Sequence, residues 1–101
     1  MKVIVYLCVV PIGVGTSLAS YIAACQSVLI DAGLEHRLHA YGTNIEGDRD
    51  EVFVAVKMCH EAMHALGAPR ISSTIKAGTR IDRSQTMDEK VKSVRACLAD
   101  G

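Results

Sequence analysis

Three short clusters of polar side chains in this chain have the types and spacing that ligand chemistry requires. The first is Gly42-Thr43-Asn44-Ile45-Glu46-Gly47. Alternate side chains of an extended run share a face, so Asn44 and Glu46 point the same way, and a carboxylate held among glycines accepts hydrogen bonds from a cationic or amino-bearing ligand. A solvated hairpin end is the plain alternative, and the residues alone leave both open. In the second cluster, Ser72, Thr74 and Lys76 alternate onto one face, with Arg80 and Arg83 following. Such donors bind a phosphate or carboxylate, or pair with acids of a neighbouring subunit.

The third cluster, Gly13-Val14-Gly15-Thr16-Ser17, follows an apolar run and opens a helical pattern. Backbone amides and the helix dipole there favour an anion, which makes Thr16 and Ser17 ligand candidates as well as candidate helix caps. Leu18 stands where a dinucleotide fingerprint needs its third glycine, and no Lys follows as in a phosphate-binding loop, so neither NAD nor ATP is expected.

His60-Glu61-Ala62-Met63-His64 is a literal H-E-x-x-H, the spacing with which two histidines one helical turn apart hold zinc. Met63 belongs to the apolar stripe of the same helix and no third ligand is apparent, so the expected reading is a polar outer face, with no metal and no cofactor. No Ser or Cys is placed by a motif beside a His and an acid, and the four cysteines, Cys8, Cys25, Cys59 and Cys97, each lie among apolar neighbours without a C-x-x-C pair. They read as buried thiols in a reducing compartment, so the expectation is a cytoplasmic protein that is not an enzyme.

The elements that must position these groups follow from periodicity. Val3 to Val10 is apolar at nearly every position, as in a central strand covered on both faces. Its resemblance to a signal peptide is superficial, because the run is too short to span a bilayer and leads into Pro11 and a glycine turn without a small-x-small site. A helix capped by Thr16 or Ser17 is predicted to about Ala32, with Leu18, Ile22, Cys25 and Leu29 on one stripe and Gly33 as the stop. Glu35 to Tyr41 and Gly42 to Glu46 read as a hairpin. Asp48 with Glu51 three residues on opens a helix whose inner face is Val52, Val56, Cys59 and Met63. Arg70 to Lys76 is a fourth strand, Ala77 to Arg83 a basic link, and Thr86-Met87-Asp88-Glu89 caps a last helix with Met87, Val91, Val94 and Leu98 on one side.

The order is β-α-β-β-α-β plus a helix, which predicts an α+β, ferredoxin-like βαββαβ sandwich with an extra C-terminal helix, formed as one domain over residues 1–101. Two helices cover one face of such a sheet, and the other leaves roughly 400 Å² that is partly apolar. A second copy of the chain is the expected cover, in a homodimer or homotetramer; the alternative is that the last helix folds over the face within one subunit. Half the residues are apolar with no Trp and one Phe, and eleven basic residues balance eleven acidic ones. That balance supplies no long-range field for nucleic acid or an anionic membrane, so neither is an expected partner.

Taken together, Val10-Pro11-Ile12-Gly13, the Gly42 to Gly47 run, His60-Glu61, and Thr74-Ile75-Lys76 through Arg80 and Asp82 resemble the small thiamine-binding protein family, single-domain relatives of the YkoF-type proteins, over nearly the whole chain. The resemblance implies a ferredoxin-like subunit, a homotetramer of dimers packed through their sheets, no established catalysis, and binding of thiamine or its hydroxymethylpyrimidine moiety. Glu46 and Thr43 are the expected partners of an aminopyrimidine, and Tyr21 or Tyr41 the candidate aromatic face for a cationic thiazolium. The expected ligand contacts are thus Thr16, Ser17, Tyr21, Thr43, Asn44, Glu46, Thr74, Lys76 and Arg80, in a carrier or sensor. The competing expectation is an ACT-like regulatory module that binds another small ligand at a subunit interface.

Overall fold

The computed structural model describes residues 1–100. Its elements run β1 (Lys2–Ile12), α1 (Ala19–Asp31), β2 (Glu35–His39), β3 (Gly42–Asp48), α2 (Arg49–Ala65), β4 (Arg70–Gly78) and α3 (Met87–Asp100). The sheet order is β2-β3-β1-β4, and every pair is antiparallel. This is the predicted ferredoxin-like α+β arrangement with its additional helix.

Strand alternation sorts β1 into two faces. Val3, Val5, Leu7 and Val9 are buried with Ile45 of β3 against Cys25 and Leu29 of α1 and Val52, Val56, Cys59 and Met63 of α2. Residues on the opposite face, Ile4, Tyr6 and Cys8, are half-buried, and Val10 and Ile12 are exposed. The helices cross where the two buried cysteines meet. The Cys25 thiol approaches the Cys59 carbonyl at 3.9 Å, and the Cys59 thiol the Cys25 carbonyl at 3.6 Å.

Local chemistry sets the boundaries. Asp48 caps α2 by accepting from the Asp50 and Glu51 N–H groups at 3.2 and 3.3 Å, and Thr86 Oγ1 accepts from the Glu89 N–H at 3.1 Å. The cap expected at the start of α1 is absent: that helix begins at Ala19 behind Leu18, whose side chain makes no capping bond, and Thr16 and Ser17 lie exposed in the preceding loop. Gly13 in that loop has a φ of 86° and faces Pro69, where a Cβ would stand 3.1 Å from the proline ring. β4 runs two residues beyond the predicted Lys76, because Ala77 and Gly78 still pair with Val5 and Ile4.

The expected burial of the thiols needs correction, and the alternative cover for the open sheet is not realised. Cys97 is exposed and Cys8 only half-buried, so the thiols do not behave as a uniform core set. Beyond its first turn, the last helix does not fold over the open sheet within the subunit. Only Met87 at its start is buried, while Val91, Val94 and Leu98 are 47%, 60% and 74% exposed. The Cα radius of gyration is 15.2 Å, against about 13 Å for a compact chain of this length, as a projecting helix requires. No helix among the described residues is long and apolar enough to cross a membrane.

Candidate functional site

The open face of the sheet carries its polar groups in rows fixed by register. Tyr6 of β1 lies between Asn44 of β3 and Lys76 of β4, and Arg37 of β2 lies beyond Asn44. One pair further along, Ile4 lies between Glu46 and Gly78, with Glu35 opposite Glu46. A cavity of about 890 Å³ stands over these rows, partly covered by the link after β4 and the first turn of α3 and open to solvent on another side. Lys2, Tyr6, Asn44, Glu46, Lys76 and Arg80 all line it.

Glu46 is half-buried, and its Oε2 accepts from the Met87 N–H at 2.9 Å. One carboxylate oxygen therefore closes the first turn of α3, where the helix dipole favours negative charge, and the residue itself lines the cavity. Arg37 holds α3 from the β2 side, donating from Nη2 to Asp88 Oδ2 at 2.8 Å. The pair pulls the Asp88 carboxyl below its ordinary range and raises the Arg37 guanidinium.

Tyr6 supplies an aromatic wall. Its ring stacks on His39 with centroids 5.8 Å apart and planes at 19°, and its hydroxyl donates to the Tyr41 carbonyl at 3.0 Å. Burial, then the Cys8 thiol beside it, pushes the phenol up, so it stays a neutral donor at physiological pH. His39 Nε2 in turn lies 3.3 Å from Asn44 Oδ1, which leaves the Asn44 amide N–H groups for other partners.

Arg80 is committed within its own link. Its Nε donates to Asp82 Oδ1 at 2.7 Å, its Nη2 to Asp82 Oδ2, and its Nη1 to Gln85 Oε1 at 2.9 Å. Asp82 is held down to about 2, first by the hydrogen bond from Arg80. Arg80 thus shapes the cavity roof, whereas Lys2, Lys76 and Arg83 line the cavity with no ion-pair partner among the described residues.

The nine candidate contacts do not form one site. Asn44, Glu46, Lys76 and Arg80 share the cavity. Thr43 sits on the opposite face of the sheet, buried, with its hydroxyl accepting from Gln26 Nε2 at 3.0 Å, so it cannot act beside Glu46. Thr16 and Ser17 lie beyond the far end of β1, ten residues of strand or roughly 30 Å from the Lys2 end. Tyr21 packs from α1 against the core, and Tyr41 stands 83% exposed at the hairpin tip, so neither supplies the cavity's aromatic face. Thr74 lies on the open face opposite Cys8, outside the cavity lining.

Tyr6, the cavity's aromatic residue, belongs to none of the motifs in the sequence. Its signal was the alternation of β1, which puts Tyr6 with Ile4 and Cys8 opposite the buried valines. The histidines of the H-E-x-x-H run are structural: His60 Nε2 hydrogen-bonds with Ser73 Oγ, and His64 Nδ1 donates to the Ala68 carbonyl at 2.7 Å. Among the described residues no group of three or more His, Cys, Asp or Glu could hold a metal.

Known proteins share this chain's sequence and shape. A Synechocystis protein of the UPF0045 family is 71% identical over 98 residues, which cover 97% of this chain and 81% of that protein. A UPF0045 protein of Eremothecium gossypii, ECM15, is 35% identical over 99% of this chain and 96% of its own length. The crystal structure of MJ1052 from Methanocaldococcus jannaschii superposes with a TM-score of 0.86 at 30% identity, covering 93% of this chain and 96% of that one. The family model described as thiamine-binding protein matches residues 5–95, nearly all of β1 through α3, so the chain belongs to the thiamine-binding protein family.

Proposed function

We propose that the protein binds thiamine or a related pyrimidine, hydroxymethylpyrimidine or a thiamine phosphate, without turnover, as a cytoplasmic homo-oligomer acting as carrier or sensor. The observation that carries the reading is the meeting of an aromatic face, an amide and a carboxylate in one cavity, Tyr6, Asn44 and Glu46, with Lys2, Lys76 and Arg83 around them. An aminopyrimidine needs an acceptor and donors in one plane, which Glu46 and Asn44 offer. A thiazolium cation gains from a carboxylate and a ring face, and a phosphate from the unpaired cations.

Self-association rests on two surfaces with no intramolecular cover. The stripe Val91, Val94 and Leu98 projects from the body, and Val10 and Ile12 are exposed on the open sheet. Packing one copy's stripe on another's sheet removes both from water and bounds the cavity on its free side.

Titration calorimetry of the sized oligomer with thiamine, its phosphates and hydroxymethylpyrimidine tests the reading. Saturable micromolar heat with about one site per subunit is expected. The absence of heat with all of them, from a folded oligomer, would replace it with the ACT-like module, in which a different ligand bound near the exposed α3 stripe controls a partner.

A further inference from the structure

Where α1 crosses α2, two thiols meet that the ligand reading does not use. The Cys25 Sγ lies 3.9 Å from the Cys59 carbonyl oxygen and the Cys59 Sγ 3.6 Å from the Cys25 carbonyl oxygen, so each sulfur rests against the other residue's main chain. The contact joins residues of two helices that are separated in sequence by the whole β2–β3 hairpin.

The two thiols are not equivalent. A second cavity, of about 280 Å³, lies between α1 and the tip of the β2–β3 hairpin, and Cys25 lines it whereas Cys59 does not. Cys25 is 3% exposed, so the opening suits a solute little larger than water. A hydrogen bond from the Cys59 thiol holds Cys25 below its ordinary value, against the opposing effect of burial, while that bond and then burial push Cys59 far up. Cys25 is therefore the thiol that ionises first and the one an entering solute meets. Cys8 also lines this cavity, but strand alternation puts it on the open face of the sheet, opposite Leu7, Val9 and the core that holds Cys25.

We propose that Cys25 and Cys59 are a peroxide-responsive dithiol, which hydrogen peroxide entering through the second cavity converts into a disulfide bonding α1 to α2. The Cys25 thiolate attacks one peroxide oxygen and the O–O bond breaks. The other oxygen leaves as water, taking up the proton that the thiol lost, and Cys25 becomes a sulfenic acid. The Cys59 sulfur then attacks the Cys25 sulfur, and the sulfenic hydroxyl departs with the Cys59 proton as a second water. Two thiols and one peroxide thus become one disulfide and two waters. Cys59 already touches Cys25, so the sulfenic acid is consumed by its neighbour and not by a second peroxide. The new bond fixes the helix crossing and constrains the chain across the hairpin between the two residues. The site is independent of the charged cavity, with which the second cavity shares no lining residue.

The test treats the reduced full-length protein with hydrogen peroxide and reads the intact mass, then the unreduced peptides, by mass spectrometry. A mass lower by two hydrogens and a Cys25–Cys59 cross-linked peptide are expected, both reversed by dithiothreitol and both formed while the Leu29 and Val56 amides stay protected from hydrogen exchange. In Cys59→Ser, dimedone should trap Cys25 as its sulfenic acid, with at least tenfold less adduct at Cys59 in Cys25→Ser. Oxidation confined to Cys97 and Cys8, a cross-link from Cys25 to either of those, equal dimedone trapping in the two variants, or a Cys25–Cys59 bond that forms only as the core amides exchange would each overturn the proposal. The wild-type cross-link and its exchange readout decide the matter if a variant fails to fold. Thiamine calorimetry reads a different cavity, so failure of either experiment leaves the other intact.

Discussion

Glu46 Oε2 and the Met87 N–H, 2.9 Å apart, join the middle of the sheet to the first turn of the projecting helix. The carboxylate at the floor of the charged cavity is thus also the anchor of its roof, so that in the proposed binding mode a ligand and α3 would draw on the same carboxylate. Glu46→Gln keeps an acceptor for Met87 but removes the charge. It is expected to weaken a thiamine-like ligand by about 1.5–3 kcal/mol, the scale of a charged hydrogen bond, while Glu46→Ala also raises hydrogen exchange at the start of α3. Unchanged affinity in calorimetry would remove Glu46 from the site.

The Arg80–Asp82 pair predicts how the cavity roof responds to acid. Asp82 titrates at about 2, below its ordinary 3.8, so its contribution is whole above the ordinary value and is lost as pH falls toward 2. The Arg80 Nε–H resonance is expected to hold its position from neutral pH to about 4 and to move only below that. Movement centred near 4 would show that the pair does not form.

Gly42 admits no side chain. A Cβ there would stand 2.6 Å from the Leu7 carbonyl oxygen and 2.6 Å from the Tyr6 ring. Gly42→Ala is expected to destabilise the fold by about 1–3 kcal/mol in a denaturant titration, the usual cost of overpacking, and to disturb the Tyr6–His39 stack.

The thiols differ enough to be told apart chemically. Cys97 is exposed and Cys8 half-buried, whereas Cys25 and Cys59 are buried against each other. The Cys59 thiol is pushed far up by Cys25 and by burial, so it is a poor nucleophile at neutral pH. Iodoacetamide followed by mass spectrometry should label Cys97 first and Cys8 next, and reach Cys25 and Cys59 only on unfolding.

Leu98 is 74% exposed and Val94 60%, so charging this stripe costs little within the subunit. Val94→Glu with Leu98→Glu should leave the far-ultraviolet dichroism unchanged and shift the sedimentation coefficient to a smaller species. An unaltered oligomer would assign self-association to another surface.

Periodicity makes most of the fold legible in the sequence. The alternation of Val3, Val5, Leu7 and Val9, the stripe Val52, Val56, Cys59 and Met63, and the caps at Asp48 and Thr86 are local patterns, and each element formed where its pattern lay. The start of α1 was missed because Thr16 and Ser17 have capping side chains but lie in a loop whose path is set by Gly13 against Pro69, a contact between residues far apart in sequence.

The candidate site was legible only along single strands. Alternation along β3 already puts Thr43 on the face opposite Asn44 and Glu46, against its expected role beside Glu46, and pairing decided only what each face meets: Gln26 beneath the sheet for Thr43, the cavity above it for Asn44. The sequence by itself determined element order, the two faces of each strand, and the absence of a net charge to gather nucleic acid. Only the tertiary structure decided that Tyr6 lies between Asn44 and Lys76, that Glu46 anchors α3, and that β3 ends short of Val9. The physical reason is that side-chain period is a property of one strand, whereas register and the end of a ladder belong to pairs of strands brought together across the chain.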